Sequence, residues 1–137
     1  MLQKYPVKIL IAFGEAIDGN VEIYKWLLNN GYPELAALTS AIHASRDALA
    51  WLLKNHPMLA ILSNAMDREK YAINWLIKNN QDFLLKFAEA CNNDQKARRW
   101  FAENNLEIFN LLAEKISEVL KQQKREHFDY HKFSFNQ

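Results

Sequence analysis

The chain predicts an all-α fold, an α-solenoid of about five stacked short helix-turn-helix repeats comprising nine helices, and three observations predict it. All four tryptophans, Trp26, Trp51, Trp75 and Trp100, recur at intervals of 25, 24 and 25 residues. Each stands ten residues after an alanine (Ala16, Ala41, Ala65, Ala90) and four before an asparagine (Asn30, Asn55, Asn79, Asn104). Around each tryptophan the apolar positions are spaced by three and four, the period of a helix face. Self-similarity at a fixed short period is the mark of a repeat architecture, in which each unit buries its apolar side against its neighbours.

The first helix of each unit starts at a cap six residues before the tryptophan. Asn20, Ser45 and Asp94 supply side-chain oxygens for the exposed first-turn amides, while the remaining residue at this position, Glu69, is a poor cap whose role Asp67 is expected to take over. Ile23, Ala48, Ala72 and Ala97 precede the tryptophan by three; Leu27, Leu52, Leu76 and Phe101 follow it by one. The asparagine four residues on is expected to end the helix in the left-handed conformation. Helices of about ten residues are too short to persist alone in water, so neighbours must hold them.

The second helix follows a turn, Gly31-Tyr32-Pro33 or His56-Pro57, with proline suited to the first helical position. The residue missing from the 24-residue unit falls in this turn. Leu35, Leu38, Ala41 and Ile42 are matched by Leu59, Leu62, Ala65 and Met66 and by Leu84, Phe87, Ala90 and Cys91. The same face precedes the first tryptophan, at Leu10, Phe13, Ala16 and Ile17, and follows the last, at Phe109, Leu112, Lys115 and Ile116. Nearly all other positions of these helices are apolar or small, so they form the interior layer. The reliably polar position precedes the repeated alanine: Glu15, Ser40, Asn64 and Glu89. The tryptophan is expected to wedge adjoining tiers together, its removal costing about 3 to 5 kcal/mol, and the stack to be elongated and curved. Lys115 breaks the alanine column, and the last helix runs into a polar stretch that caps the pile.

The segment Ala16-Ile17-Asp18-Gly19-Asn20-Val21-Glu22-Ile23-Tyr24-Lys25-Trp26-Leu27-Leu28-Asn29-Asn30-Gly31 resembles the second-helix stretch of an ankyrin repeat, and Pro33-Glu34-Leu35-Ala36-Ala37-Leu38 its first helix. An ankyrin unit takes about 33 residues because a β-turn segment joins its helix pairs, and the connections here leave no room for it. The period also looks like that of leucine-rich repeat variant proteins, whose α and 3₁₀ helices alternate, although both halves here are long enough for α-helix. As a whole the chain is similar to a bacterial family of short tandem α-helical repeats with A-x-x-W-L-x-x-N units. That resemblance implies architecture and no activity.

Composition narrows the function. The 137 residues suit one repeat domain, 1–126, followed by an aromatic tail, 127–137. Seventeen basic against sixteen acidic residues give a net charge of +1, which argues against a strong nucleic-acid or membrane-surface binder. One cysteine, Cys91, forms no intrachain disulfide and suits a reducing compartment, the cytoplasm by default. The apolar run Ile9 to Phe13 after Lys4 and Lys8 is too short for a secretion signal, and no stretch approaches a membrane span. Three glycines allow no phosphate-binding loop.

Candidate chemistry is sparse. His127, Asp129 and His131, with Glu126 alongside, offer imidazole and carboxylate for a divalent metal, but Asp129 points away from the histidines on a helix, and only His43 and His56 remain as distant ligands. Cys91 stands in a column of isoleucine and methionine, which makes it a core thiol. The tryptophan column could stack nucleobases, and Lys96, Arg98 and Arg99 form a small basic patch flanked by Asp94 and Glu103. Phe128, Tyr130, Phe133 and Phe135 crowd the tail, which is expected to dock as an extended flap or to bind a partner. The sequence therefore points to a noncatalytic scaffold or adaptor that binds a protein or peptide, without cofactor or metal. Its contact residues are Glu15, Ser40, Asn64 and Glu89, with the tail aromatics. The alternatives are a metal protein or enzyme using the tail cluster, and a nucleic-acid binder. The seam Phe109, Leu112, Ile116, Val119 suits a homodimer as well as an internal cap.

Overall fold

The computed structural model describes the backbone of residues 1–135 and the side chains of residues 1–126. Among them stand nine α-helices and no strand: α1 (Val7–Ile17), α2 (Val21–Asn29), α3 (Pro33–Ile42), α4 (Arg46–Asn55), α5 (Pro57–Met66), α6 (Lys70–Lys78), α7 (Asp82–Cys91), α8 (Gln95–Glu103) and α9 (Glu107–Phe135), after a short 3₁₀ turn at Leu2–Lys4. The repeat solenoid predicted from the sequence is the fold observed.

Odd-numbered helices form an inner layer and even-numbered helices an outer one. Each outer helix packs only on the inner helices before and after it, and the outer helices do not touch one another. The inner helices supply most of the core, including Phe13, Leu35, Leu38, Leu59, Leu62 and Phe87. The repeated alanines Ala16, Ala41, Ala65 and Ala90 are all buried, as close approach of successive helices requires.

The stack curves as expected but is not elongated. Helix α9 packs on α7, then also on α1 and α3, so the last inner helix returns to the first and covers the hollow of the arc. Gly14 marks the crossing: a Cβ there would lie 3.1 Å from Leu112 Cδ2 and 3.3 Å from Lys115 Cδ. Phe109, Leu112, Ala113 and Ile116 are buried here, and Gln123 Nε2 donates to the Ile42 carbonyl at 2.8 Å. The apolar seam of α9 is thus an internal face. The backbone of residues 127–135 continues this helix, which replaces the extended flap expected; the side chains of Phe128, Tyr130, Phe133 and Phe135 lie outside the described residues.

Caps and turns repeat with the period. Asn20, Ser45 and Asp94 accept the amides of Ile23, Ala48 and Ala97 at 3.1 Å. Glu69 makes no such bond, and Asp67 does not replace it, because Asp67 ends the preceding helix as its C-cap. After three of the four outer helices a left-handed residue does follow, one position later than expected, at Gly31, Asn80 and Asn105. The repeated asparagine instead binds its own helix. Asn30, Asn55, Asn79 and Asn104 each donate a side-chain N–H to the carbonyl of the tryptophan four residues back, at 2.8–2.9 Å. In the second unit no left-handed residue follows; His56, at φ −145° and ψ 68°, is followed at once by Pro57, which opens α5, and this accounts for the missing residue.

Candidate interaction surface

The tryptophans are not the buried wedges expected, and only Trp75 and Trp100 pack against the core at all. Trp26 and Trp51 are 44% and 39% exposed, Trp75 and Trp100 half-buried, and the fully buried position is the next one, Leu27, Leu52, Leu76 and Phe101. Helix geometry decides this. An outer helix has one inner side, and of the run Trp-Leu-Leu in α2 and α4 only the middle residue can point into it, leaving the indole and Leu28 or Leu53 on its flanks. Trp26 and Trp51 lie instead at the surface against nearby side chains, and Trp75 and Trp100 lie partly buried at the edge of the core. Trp26 stacks on Tyr32 with ring centroids 6.1 Å apart, Trp51 meets His56 at 5.5 Å, and Trp100 packs edge-on to Phe83 beneath the Lys86 ammonium, 4.9 Å from its ring.

Splayed outer helices leave grooves floored by inner ones. Between α2 and α4 a groove of about 380 Å³ runs over α3, walled by Tyr24, Leu28, Ala48 and Trp51 and floored by Pro33 and Ala37. A second hollow of about 280 Å³ lies between α1 and α2, beside Ile9, Ala12, Ile23 and Trp26. The first is within the range of pockets that seat a small ligand or an anchoring side chain. Leu53 and Ile77, at the position of Leu28 in the next two units, are 52% and 54% exposed. These alkyl positions were missed in the sequence, although three adjacent apolar residues in a short one-sided helix were the signal.

The polar row meets the first groove at Ser40, which lines it. Its four backbone carbonyls accept the N–H of the cap residue of the next helix, Glu15 from Asn20, Ser40 from Ser45, Asn64 from Glu69 and Glu89 from Asp94, at 2.9–3.1 Å. The row therefore marks the last turn of each inner helix, where the chain reverses. Of the side chains, Ser40 Oγ shares a 2.8 Å hydrogen bond with the Tyr24 hydroxyl, and Asn64 is buried and donates to the Tyr71 hydroxyl. Glu15 is exposed. Glu89 lines a polar cleft of about 350 Å³ with Arg68, Asn92, Asp94 and Lys124.

Charge is segregated between the layers. The outer helices carry eight basic residues against three acidic ones, Glu22, Asp47 and Glu103. Inner helices α1, α3, α5 and α7 carry two basic residues against four acidic ones. Arg98 is not part of a solvated patch, since its guanidinium bonds the Ala90 carbonyl at 3.1 Å, Asn93 Oδ1 at 2.9 Å and the Glu114 carboxylate of α9. Lys70, Lys78, Lys96 and Arg99 are exposed on α6 and α8, on either side of α7.

For other chemistry the described residues offer little. Burial pushes the Cys91 thiol far above its ordinary range, which suits packing rather than nucleophilic attack. No group of three or more His, Cys, Asp or Glu side chains converges among the described residues; His43 Nε2 bonds the Ile17 carbonyl and His56 packs on Trp51, while His127, Asp129 and His131 lie outside them. No described helix is long and apolar enough to cross a membrane. No protein-family model, curated protein or solved structure matches the chain.

Proposed function

We propose that the protein is a noncatalytic interaction module that binds another protein or peptide on the outer wall of its solenoid. One observation carries the reading: the first two outer helices keep an exposed indole, Trp26 and Trp51, the other two a half-buried one, and an alkyl side chain is exposed beside the indole in three of the four, while the fully buried core positions are others. Trp26, Trp51, Leu28, Leu53 and Ile77 leave apolar area in water, and Trp51 and Leu28 do so on the walls of one groove. Exposed aromatic anchors beside a groove are the usual centre of a binding interface. The hollow of the arc, where many solenoids bind, is taken up by α9.

Affinity capture from the cell of origin, followed by mass spectrometry, tests the proposal when run in parallel with a Trp51→Ala, Leu53→Ser variant. The expected result is a defined partner retained by the wild type and lost from a variant that keeps its helical circular dichroism. Equal recovery of every partner by both proteins would refute the reading.

A further inference from the structure

We infer that the partner segment is acidic and amphipathic: a peptide with carboxylates along one side and leucine or phenylalanine along the other, which lies across the outer helices. The inference rests on the interaction-module reading above and names the chemistry of its ligand. Its basis is the charge of the wall itself. A chain of net charge +1 places an excess of five positive charges on four helices, and the compensating acids lie on the inner helices, the connections and elsewhere.

Two parts of the wall divide the work. Over α3, the groove beside Leu28 and Trp51 offers an apolar slot wide enough for one large side chain, with Asp47 its single carboxylate. Toward the other end, α6 and α8 carry five basic residues against Glu103 alone. Four of the five, Lys70, Lys78, Lys96 and Arg99, are exposed and make no ion pair with any described residue. Opposite charge on the partner gains from all four without breaking an internal contact, and like charge is repelled. A helix or strand that anchors an apolar residue in the slot and runs over α5 brings its carboxylates to this basic end. Peptide recognition of this kind takes orientation from the slot and selectivity from the charge.

Peptide binding followed by tryptophan fluorescence and by anisotropy of a labelled peptide tests the inference. Three 16-residue probes suffice: an amphipathic Leu/Glu peptide, its Leu/Lys counterpart and a Ser/Glu peptide without apolar anchors. The Leu/Glu peptide should bind at least tenfold more tightly than either of the others, and its Kd should rise at least tenfold between 50 and 500 mM salt. A Lys70→Glu, Lys78→Glu, Lys96→Glu, Arg99→Glu variant, checked by circular dichroism for intact helix, should lose that preference, and Trp51→Ala should weaken binding at unchanged charge. Equal affinity for the Glu and Lys peptides, or tighter binding to poly-uridine or phosphatidylserine vesicles than to the Leu/Glu peptide, overturns it. Preference for the Leu/Lys peptide, abolished by Trp51→Ala, overturns the acidic ligand but leaves the interaction module standing. Failure of all three peptides overturns the ligand class, and the interaction module then stands or falls by the capture experiment alone.

Discussion

Lys115 of α9 forms a salt bridge with Asp18 at the end of α1, joining residues 97 positions apart. The lysine breaks the alanine column of the repeat because its neighbour on that side is the first unit and not another copy. Its methylenes pass Gly14, whose missing side chain lets α1 and α9 meet. With the two side chains 19% and 48% exposed, the ion pair itself is worth little. A double-mutant cycle of Lys115→Met and Asp18→Asn in urea denaturation should return a coupling of about 0.5 kcal/mol that shrinks with added salt. Gly14→Val should cost more, about 1 to 3 kcal/mol, because Leu112 is buried and has nowhere to move. A Gly14 variant of wild-type stability would mean that the ring does not depend on this contact.

Stability should follow the residue beside the tryptophan rather than the tryptophan. Leu27 is fully buried, and Leu27→Ala should cost about 2 to 5 kcal/mol by cavity formation. Trp26→Ala removes a ring already 44% in water and stacked only on Tyr32 at the surface, so about 1 kcal/mol is expected. Chemical denaturation of the two variants compares them directly, and a Trp26 cost equal to that of Leu27 would contradict the outward placement.

That contrast shows what periodicity reveals. The exposed Trp26 position recurs unchanged in all four units while the buried Leu27 position becomes Phe101 in the last, and a repeat in sequence states only that a position is used in every unit, not that it is buried. The helices, their caps at Asn20, Ser45 and Asp94 and the inner layer were legible because each follows from local rules of spacing and side-chain hydrogen bonding. The return of α9 onto α1 was not. It depends on the curvature summed over five inner helices, of which Gly14 and Lys115 are local traces. The charged wall was hidden for a related reason: the net charge of the chain averages an acidic inner set with a basic outer one.

Three residues with a Cβ occupy the left-handed position where the first unit has Gly19. Ala44 has φ 73° and Arg68 φ 65°, whereas the last unit uses Asn93, a residue that tolerates this region. Alanine pays about 1 kcal/mol for it. Ala44→Gly should therefore stabilise the protein by about 0.5 to 1 kcal/mol, part of the gain being offset by the freer unfolded chain. A rise in thermal midpoint of a few degrees is the expected reading, and a fall would show that the turn is held by contacts a glycine loosens.

Helix α6 starts without a side-chain cap, alone among the outer helices. Glu69 has the extended backbone of a cap residue, but its carboxylate makes no bond to the first-turn amides. Aspartate or serine reaches those amides with one methylene fewer, as Asp94 and Ser45 do at the equivalent position. Glu69→Asp should add about 0.5 to 1 kcal/mol, and Ser45→Ala should remove about the same. Hydrogen exchange of the α6 first-turn amides checks the mechanism: their protection should rise in Glu69→Asp and leave α2 unchanged.

Arg98 ties three elements together, and only one of its bonds responds to acid. The hydrogen bond from Arg98, reinforced by its charge, holds the Glu114 carboxyl below the ordinary glutamate value of 4.5. A depressed carboxyl stabilises the fold fully above the unfolded value and ceases to do so as pH falls through the folded one. Glu114 is 51% exposed, so solvent screening keeps the contribution well under about 1 kcal/mol. The bonds to the Ala90 carbonyl and to Asn93 carry no titrating group, and since that carbonyl keeps the Asn93 N–H and Asn93 is exposed, their loss removes two hydrogen bonds without leaving a bare buried acceptor. Arg98→Met should therefore cost about 1 to 2 kcal/mol at pH 7 and retain most of that cost at pH 3. The small cost of Glu114→Gln should vanish between pH 5 and pH 3. Urea titrations at the three pH values separate the two, and a Glu114→Gln effect that persists at pH 3 would show that its contact with Arg98 is not electrostatic.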